Sequence, residues 1–482
     1  MYNFSFYSSP IKQYNKLIKQ RRYFMQVNFF YKCNICGSIC NLKYQLGFSK
    51  KHPIRYKCSC GITIKGTYQE NLGISFENAT SINECMPNFV VHSSGEFLTP
   101  TLYEVVKPED IIRSTSFINA LQSMDYEKFR KILEYVINYR DYQNSIVHAI
   151  NELYEAKNFT ILEKIIRQNY DSDGNVFPLN NQADYLRAVT MINQFQFLPY
   201  NNVTSKVTNN FLQAFRKSST ECSKFLNCIS SLNRLNEWKR KLHQICTQIY
   251  EKIDLLIPVI GIEFYHNKTL AFNSDLSITT TSFEEIKQLY VDLYELISSL
   301  LFLPIGFDNI LLRDNFESMN TVPGINITIL SEVLKMRNKG NIIKLIDKSA
   351  PLESLLCECL DSHIRNGIGH FSYKSKEIAN RHGQIIRFYS INNSDDYVDF
   401  SLIEICYDIW NMYKSLGIFN ELIHLVEIQL LAKEKHIYPS FVTDSSVKPK
   451  LINPHFNTKV YPNDLCPCGS GLKYKKCCKK IL

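Results

Sequence analysis

Nine of the sixteen cysteines lie in two tight clusters, Cys33, Cys36, Cys40, Cys58 and Cys60 in one and Cys466, Cys468, Cys477 and Cys478 in the other. Neighbours such as Cys58 and Cys60, or adjacent Cys477 and Cys478, are poorly placed for disulfides, which require a particular separation and direction of the two Cβ atoms. Thiolates converging on one metal ion need short spacings of this kind. The chain is therefore expected to fold as a larger body with a small metal-stapled module towards each end. Reduced thiols in this number fit a reducing cytoplasm.

Charge follows the same division. The formal net charge is +9, yet residues 1–69 hold twelve Lys or Arg and no acid, and residues 436–482 add +6, which leaves −9 for residues 70–435. An acidic body lies between two basic ends. If each cluster binds one Zn²⁺ through four thiolates it contributes −2, and the loaded chain is nearer about +5. The longest apolar stretches, Leu255 to Phe264 and Leu296 to Phe307, fall short of the roughly 20 residues that span a bilayer, so no membrane span is expected. The first residues carry Lys12, Lys16, Lys19, Arg21 and Arg22 with no apolar run and cleavage site behind them, and Met25 is a candidate start.

A length of 482 residues with 45% hydrophobic content suggests two to four domains at roughly 100–200 residues each. From about Asp110 the pattern turns helical: Phe129, Ile132, Leu133, Val136 and Ile137 form one stripe, as do Ile286, Leu289, Leu293, Leu296, Ile297 and Leu300. Thr160 with Glu163, Ser282 with Glu285, and Ser401 with Glu404 have capping-box spacing. Residues 384–400 read as a hairpin, and Gly417 is expected to end a helix begun at Ser401. The predicted fold class is mainly α: helical bundles flanked by a zinc-ribbon-like β module and a C-terminal zinc motif. Its segments are a basic lead (1–24), the ribbon-like module (25–75), a linker (76–110), a helical domain of unassigned role (111–281), a second helical bundle (282–435), a linker (436–461) and the terminal motif (462–482).

At the first cluster, Cys33 and Cys36 form a C-x2-C pair, and Cys58 and Cys60 a tighter C-x-C pair. Two knuckles of this kind suit one tetrahedral zinc, with Cys40 and His52 as competing ligands. Lys43, Lys50, Lys51, Arg55, Lys57 and Lys65 alternate with Tyr31, Tyr44, Tyr56 and Tyr68. Cations for phosphates beside rings for bases are what a nucleic-acid partner, RNA or ribosome, requires. A solvated basic face is the simpler alternative. At the other end, CPCGSGLKYKKCC presents Cys466, Cys468, Cys477 and Cys478 around a Gly-Ser-Gly turn, in a segment too small to fold without metal. This string resembles the SEC-C motif, the zinc tail of the preprotein translocase motor SecA and of many unrelated proteins. The resemblance implies a second structural zinc and a docking tag for a protein partner.

The segment ECLDSHIRNGIGHFSY, residues 358–373, carries Arg365, Asn366 and His370. A guanidinium holds a phosphate bidentately and stabilises the charge of a pentavalent transition state, and a histidine titrating near neutrality moves the proton of a 2′-hydroxyl. The RNGIGH string in a helical setting resembles the R-x4-6-H motif of HEPN domains. That resemblance implies a metal-independent endoribonuclease assembled as a homodimer, or an RNA-binding effector, used in defence or stress response. His370 would be the general acid or base, Arg365 the phosphate ligand and Asn366 their orienter, giving 2′,3′-cyclic phosphate and 5′-hydroxyl ends. Gly367, Gly369 and the hairpin before Ser401 depart from the family pattern. Arg365 paired with Asp361 at i, i+4 is the purely structural reading. A non-catalytic adaptor working through the SEC-C tail is the alternative function.

Overall fold

The computed structural model describes residues 26–70, 72–100, 103–105, 116–200, 204–272, 276–336, 339–346, 359–376, 384–390 and 395–440. Among the described residues the chain divides into two compact units, one holding residues 26–141 and Gln196–Glu427, the other Tyr142–Phe195 and residues 428–440.

The larger unit opens in β structure: β1 (Gln26–Cys33), β2 (Ile39–Gln45), β3 (Lys51–Lys57), β4 (Thr63–Gln69), β5 (Gly73–Glu77), β6 (Ala79–Ile82), β7 (Phe89–Ser94), β8 (Thr99–Pro100) and β9 (Tyr103–Glu104). These strands correct the predicted fold class. Helical bundles with one small β module are not what forms: the described residues contain four small sheets, including a mixed five-stranded sheet in the order β6-β1-β2-β7-β9 and an antiparallel β3-β4-β5 sheet. Much of the stretch expected as linker, 76–110, is strand. Its central strand, β7, pairs in parallel with β2 from Cys40↔Phe89 to Gln45↔Ser94. A parallel pair has no hairpin turn to announce it, and the apolar run Phe89–Val91 is too short to show a period.

Helices follow: α1 (Ser116–Ser123), α2 (Tyr126–Tyr142), α3 (Asn144–Glu155), α4 (Phe159–Tyr170), α5 (Gln182–Gln194), α6 (Thr204–Lys217), α7 (Ser219–Leu232), α8 (Leu235–Glu251), α9 (Ile253–Ile260), α10 (Phe283–Leu300), α11 (Phe302–Arg313), α12 (Ser362–Gly369) and α13 (Leu402–Lys435). Between the last two, β11 (Tyr373–Lys376), β12 (Ile385–Tyr389) and β13 (Tyr397–Ser401) form an antiparallel sheet, and the short β10 (Leu276–Ser277) pairs with β8. The apolar stripes largely behave as periodicity demands: Phe129, Leu133, Val136 and Ile137 of α2 and all six named positions of α10 are buried, and Ile132 is half-buried. Ser282 and Glu285 form the expected capping box, and Ser401 and Glu404 exchange the same reciprocal bonds at 2.6 and 3.2 Å.

In the smaller unit α4 begins two residues earlier than the Thr160 cap predicts. Asn158 caps it instead, its side chain accepting from the Ile161 amide at 3.3 Å. Ala183 and Leu186 of α5 pack with Leu431, Ile428 and Ile437.

Gly417 does not end a helix, because α13 runs through it for 34 residues. A Cβ there would lie 3.0 Å from Cγ of Phe197, so the residue admits a close ring contact that offsets glycine's cost of up to about 1 kcal/mol inside a helix. Helices continue across breaks that looked terminal, and Phe283–Arg313 and Leu402–Lys435 become long and apolar enough to cross a membrane by length and composition alone, although 78% and 56% of their most apolar windows are buried in the protein.

Helix α12 lies on β12 through Gly367, where a Cβ would meet Cδ1 of Phe388 at 2.3 Å; at Gly369 the nearest atom is Nη1 of Arg365 at 4.0 Å. Phe388 is itself buried against Phe283 and Phe400 and has no room to yield. Gly367→Ala should therefore destabilise the protein by about 1–3 kcal/mol, the usual cost of overpacking, whereas Gly369→Ala should stay within about 1 kcal/mol of the parent. Urea-unfolding midpoints of the two variants test the contrast, and equal midpoints would refute it.

Candidate metal centre and the Arg365–His370 helix

Cys33 is the last residue of β1, and the chain turns at once, with Gly37 N–H donating to the Cys33 carbonyl at 3.0 Å. Cys58 and Cys60 sit in the turn between β3 and β4, where Gly61 N–H donates to the Cys58 carbonyl at 2.8 Å. Each knuckle closes on a glycine in the left-handed region, Gly37 at φ +75° and Gly61 at φ +85°, which L side chains adopt only with strain. The shorter C-x-C spacing thus reaches the same geometry as C-x2-C.

The four Sγ atoms all lie within 4.8 Å of one another. Cys33 and Cys60 are 3.9 Å apart and Cys36 and Cys58 3.6 Å apart, sulfur to sulfur. An ion about 2.3 Å from each of four sulfurs in a tetrahedron separates them by about 3.8 Å. The donor set and its spacing fit zinc. Cys36 is the readiest ligand: the hydroxyl of Ser38, 3.2 Å away, and the Ser38 backbone hold its thiol down at about 6, whereas burial pushes Cys58 up to about 12. Neither alternative ligand joins the group. Cys40 is buried in the core behind it, its thiol pushed up to about 12 by burial, and His52 is fully buried, its imidazole pushed down to about 4 by the same cause. With four protein ligands no position is left for a water to be activated, so the centre is architectural.

The interleaved cations and rings around it are not a stacking surface. Tyr31, Tyr44 and Tyr56 belong to the core, together with Leu42, Ile54 and Ile64. Lys43 is buried, and Arg55 is committed to Glu285 through contacts of 2.9 and 3.0 Å. Alternation along β3 turns Ile54 and Tyr56 to the core and puts Arg55 on the opposite face, where Glu285 covers it, a division that the spacing of cations and rings alone does not reveal. Lys32, Lys50, Lys51 and Lys65 remain exposed.

Helix α12 is pinned at its start by α10. Asp361 N–H donates to the hydroxyl of Tyr290 at 3.0 Å, and the Asp361 carboxylate accepts from the His363 amide at 2.6 Å. Ile364 and Ile368 face the interior, while Arg365, Asn366, Gly369 and His370 share the outer face. Arg365 does not pair with the Asp361 carboxylate. Its Nε and Nη2 donate to Oε1 of Glu295 on α10 at 2.8 and 2.6 Å, Nη1 donates to Oδ1 of Asn366 at 3.1 Å, and Lys339 binds the other Glu295 oxygen. Burial alone would raise the Glu295 carboxyl, but Lys339 and Arg365 outweigh it and hold the group below the usual carboxylate range. His370 caps the helix through its backbone and is exposed. Glu295 lies 70 residues from Arg365, and no local spacing could have singled it out.

Cys466, Cys468, Cys477 and Cys478 lie outside the described residues. There the family model of the SEC-C motif matches residues 463–480, in agreement with the resemblance read from CPCGSGLKYKKCC. No solved structure matches the chain.

Because Cys58 must shed a proton to bind metal, zinc affinity at the N-terminal centre should fall at least about tenfold for each pH unit below neutrality. Cys58→Ser should lower the zinc bound per chain by about one equivalent. Metal analysis and chelator competition at pH 6, 7 and 8 check both, and an unchanged zinc content in Cys58→Ser would remove the assignment.

Proposed function

We propose that the protein is a HEPN-type endoribonuclease whose chemistry sits at Arg365, Asn366 and His370, with a structural zinc at each end. The observation that carries this reading is the outer face of α12. There an exposed His370 follows a half-exposed Arg365 on the same helix, and the guanidinium also contacts the Asn366 amide oxygen. Arg365 has five N–H donors, of which Glu295 and Asn366 engage three, so two remain for the non-bridging oxygens of a phosphate. Glu295 acts as a positioning residue, holding the guanidinium in place before RNA arrives.

In the proposed step His370 takes the proton of a 2′-hydroxyl. The 2′-oxygen forms its bond to phosphorus, the bond from phosphorus to the 5′-oxygen breaks, and a second imidazolium protonates the leaving oxygen. A homodimer supplies that second histidine. Arg365 neutralises the charge that builds on the equatorial oxygens. The exposed Lys32, Lys50, Lys51 and Lys65 offer phosphate contacts for RNA or a ribosome, and the SEC-C tail offers a dock for a protein.

One observation favours the rival reading, a non-catalytic adaptor: Arg365, Glu295 and Lys339 already form a complete ion network. Zinc-loaded protein and single-stranded RNA decide between the two. The nuclease reading expects 2′,3′-cyclic phosphate and 5′-hydroxyl ends, and a loss of at least about 100-fold in His370→Ala, the usual worth of a general acid or base. Equal cleavage by a folded His370→Ala variant overturns the assignment. Absence of any cleavage, with partner binding lost on deletion of residues 462–482, establishes the adaptor.

A further inference from the structure

Phe371, immediately after His370, is 81% exposed and has φ +55°. A bulky side chain in that region is an outlier. The turn it makes, with Phe371 N–H donating to the Ile368 carbonyl at 3.3 Å and Ser372 N–H to the Gly367 carbonyl at 2.9 Å, is the helix ending that normally carries glycine at this position. Here the chain keeps an aromatic ring in water at a site where folding favours its absence.

The ring does not stand alone. Ser372 accepts the Tyr389 amide at 2.8 Å, which continues the β11-β12-β13 sheet up to the residue after Phe371. The inner face of that sheet carries Phe388 and Tyr373, packed on Phe283. On the outer face Tyr389 lies opposite Tyr397 in register, and Lys374, Arg387 and Asp399 form the next row. Tyr397 is 46% exposed. The Arg387 guanidinium sits 3.4 Å from its ring centre and is itself fixed by two bonds to Asp399 at 2.7 and 2.8 Å. One face of Tyr397 is thereby held rigid, while the residue stays open to solvent.

We propose that Phe371 and Tyr397, with Tyr389 set edge-on against Tyr397, form a stacking track for single-stranded RNA that delivers a phosphodiester to His370. Tyr389 and Tyr397 have ring centres 6.3 Å apart and planes at 63°, so Tyr389 braces Tyr397 while Tyr397 and Phe371 offer the exposed rings, and base-on-aromatic stacking tolerates any sequence. Exposed Lys374 supplies a cation on the approach. Asp395 and Asp396 place negative charge beyond Tyr397, which ends the track there. Lys374, Arg387 and Asp399 form a charged row beside the rings, so the face is not the continuous apolar patch that a protein partner would need. The inference rests on the nuclease reading for its destination, but binding can be measured without cleavage.

The test uses full-length, zinc-loaded protein carrying His370→Ala, so that a labelled single-stranded oligoribonucleotide stays intact. Against that background, Phe371→Gly and Tyr397→Ala should each weaken binding by about 5- to 150-fold, the range of one lost stack, and Phe371→Trp should restore it. Phe371→Gly relieves the positive φ and uncovers almost no core, so its unfolding midpoint should equal or exceed that of the parent. A duplex of the same sequence should compete poorly. Unchanged affinity in both ring variants overturns the track, as does a Phe371→Gly variant that binds RNA normally but shifts the monomer–dimer equilibrium, because the ring is then a protein contact. Loss of binding in the ring variants, in a protein that cuts no RNA, keeps the track and removes only the nuclease.

Discussion

The convergence of four thiols at the tips of two hairpins joins the two sheets with which the larger unit opens. Cys33 and Cys36 come from the hairpin of β1 and β2, in the five-stranded sheet, and Cys58 and Cys60 from that of β3 and β4, in the three-stranded one. Neither sheet has a core of its own. Tyr31, Leu42 and Tyr44 from one meet Ile54, Tyr56 and Ile64 from the other, and a cluster of that size supplies little stability without an additional link. Metal binding to ligands that converge only in the folded state is folding free energy, so the ion that fits between the knuckles sets how the two sheets face each other.

That arrangement reaches the helices through one carboxylate. Glu285 accepts the Ser282 amide at 3.1 Å to complete the cap of α10, and it also receives Arg55 from β3. The strand continues from Arg55 to the knuckle at Cys58, while α10 continues to Tyr290, which anchors Asp361, and to Glu295, which holds Arg365. A continuous set of hydrogen-bonded contacts therefore leads from the metal centre to the outer face of α12. The closed centre offers no open coordination position, and its structural role extends to the end of the helix from which Arg365 is held.

The parts of this design that depend on local periodicity were legible in the sequence. The α2 and α10 stripes, the caps at Ser282 and Ser401, the hairpin before α13 and the four cysteines follow from spacing alone. The parts that depend on partners distant in sequence were not. The parallel pairing of β2 with β7 turned an expected linker into a sheet, and Gly417 reads as a stop unless Phe197 is known to fill the space beside it. Arg55 and the tyrosines of the first module read as a nucleic-acid surface because composition records which residues alternate, not which side of the strand faces the core. Arg365 had an evident local partner in Asp361, but Asp361 is occupied with capping α12, and the guanidinium is held by Glu295 instead.

Where a sequence breaks its own local rules, the reason is usually functional rather than structural. At Gly367 the glycine is structural, because Phe388 occupies the volume a Cβ would need. Phe371 presents the converse case. Its left-handed backbone costs roughly 1–2 kcal/mol relative to glycine, and with four-fifths of the side chain in water little burial offsets that cost within the fold. Stacking one base on an aromatic ring contributes about 1–3 kcal/mol, which is enough to balance the strain on binding. Strain of this size is tolerable only where the surroundings fix the backbone. Here they do, since the amides of Phe371 and Ser372 both close onto the end of α12 and Ser372 is paired into the sheet, so the backbone that carries the ring is held in place directly after His370.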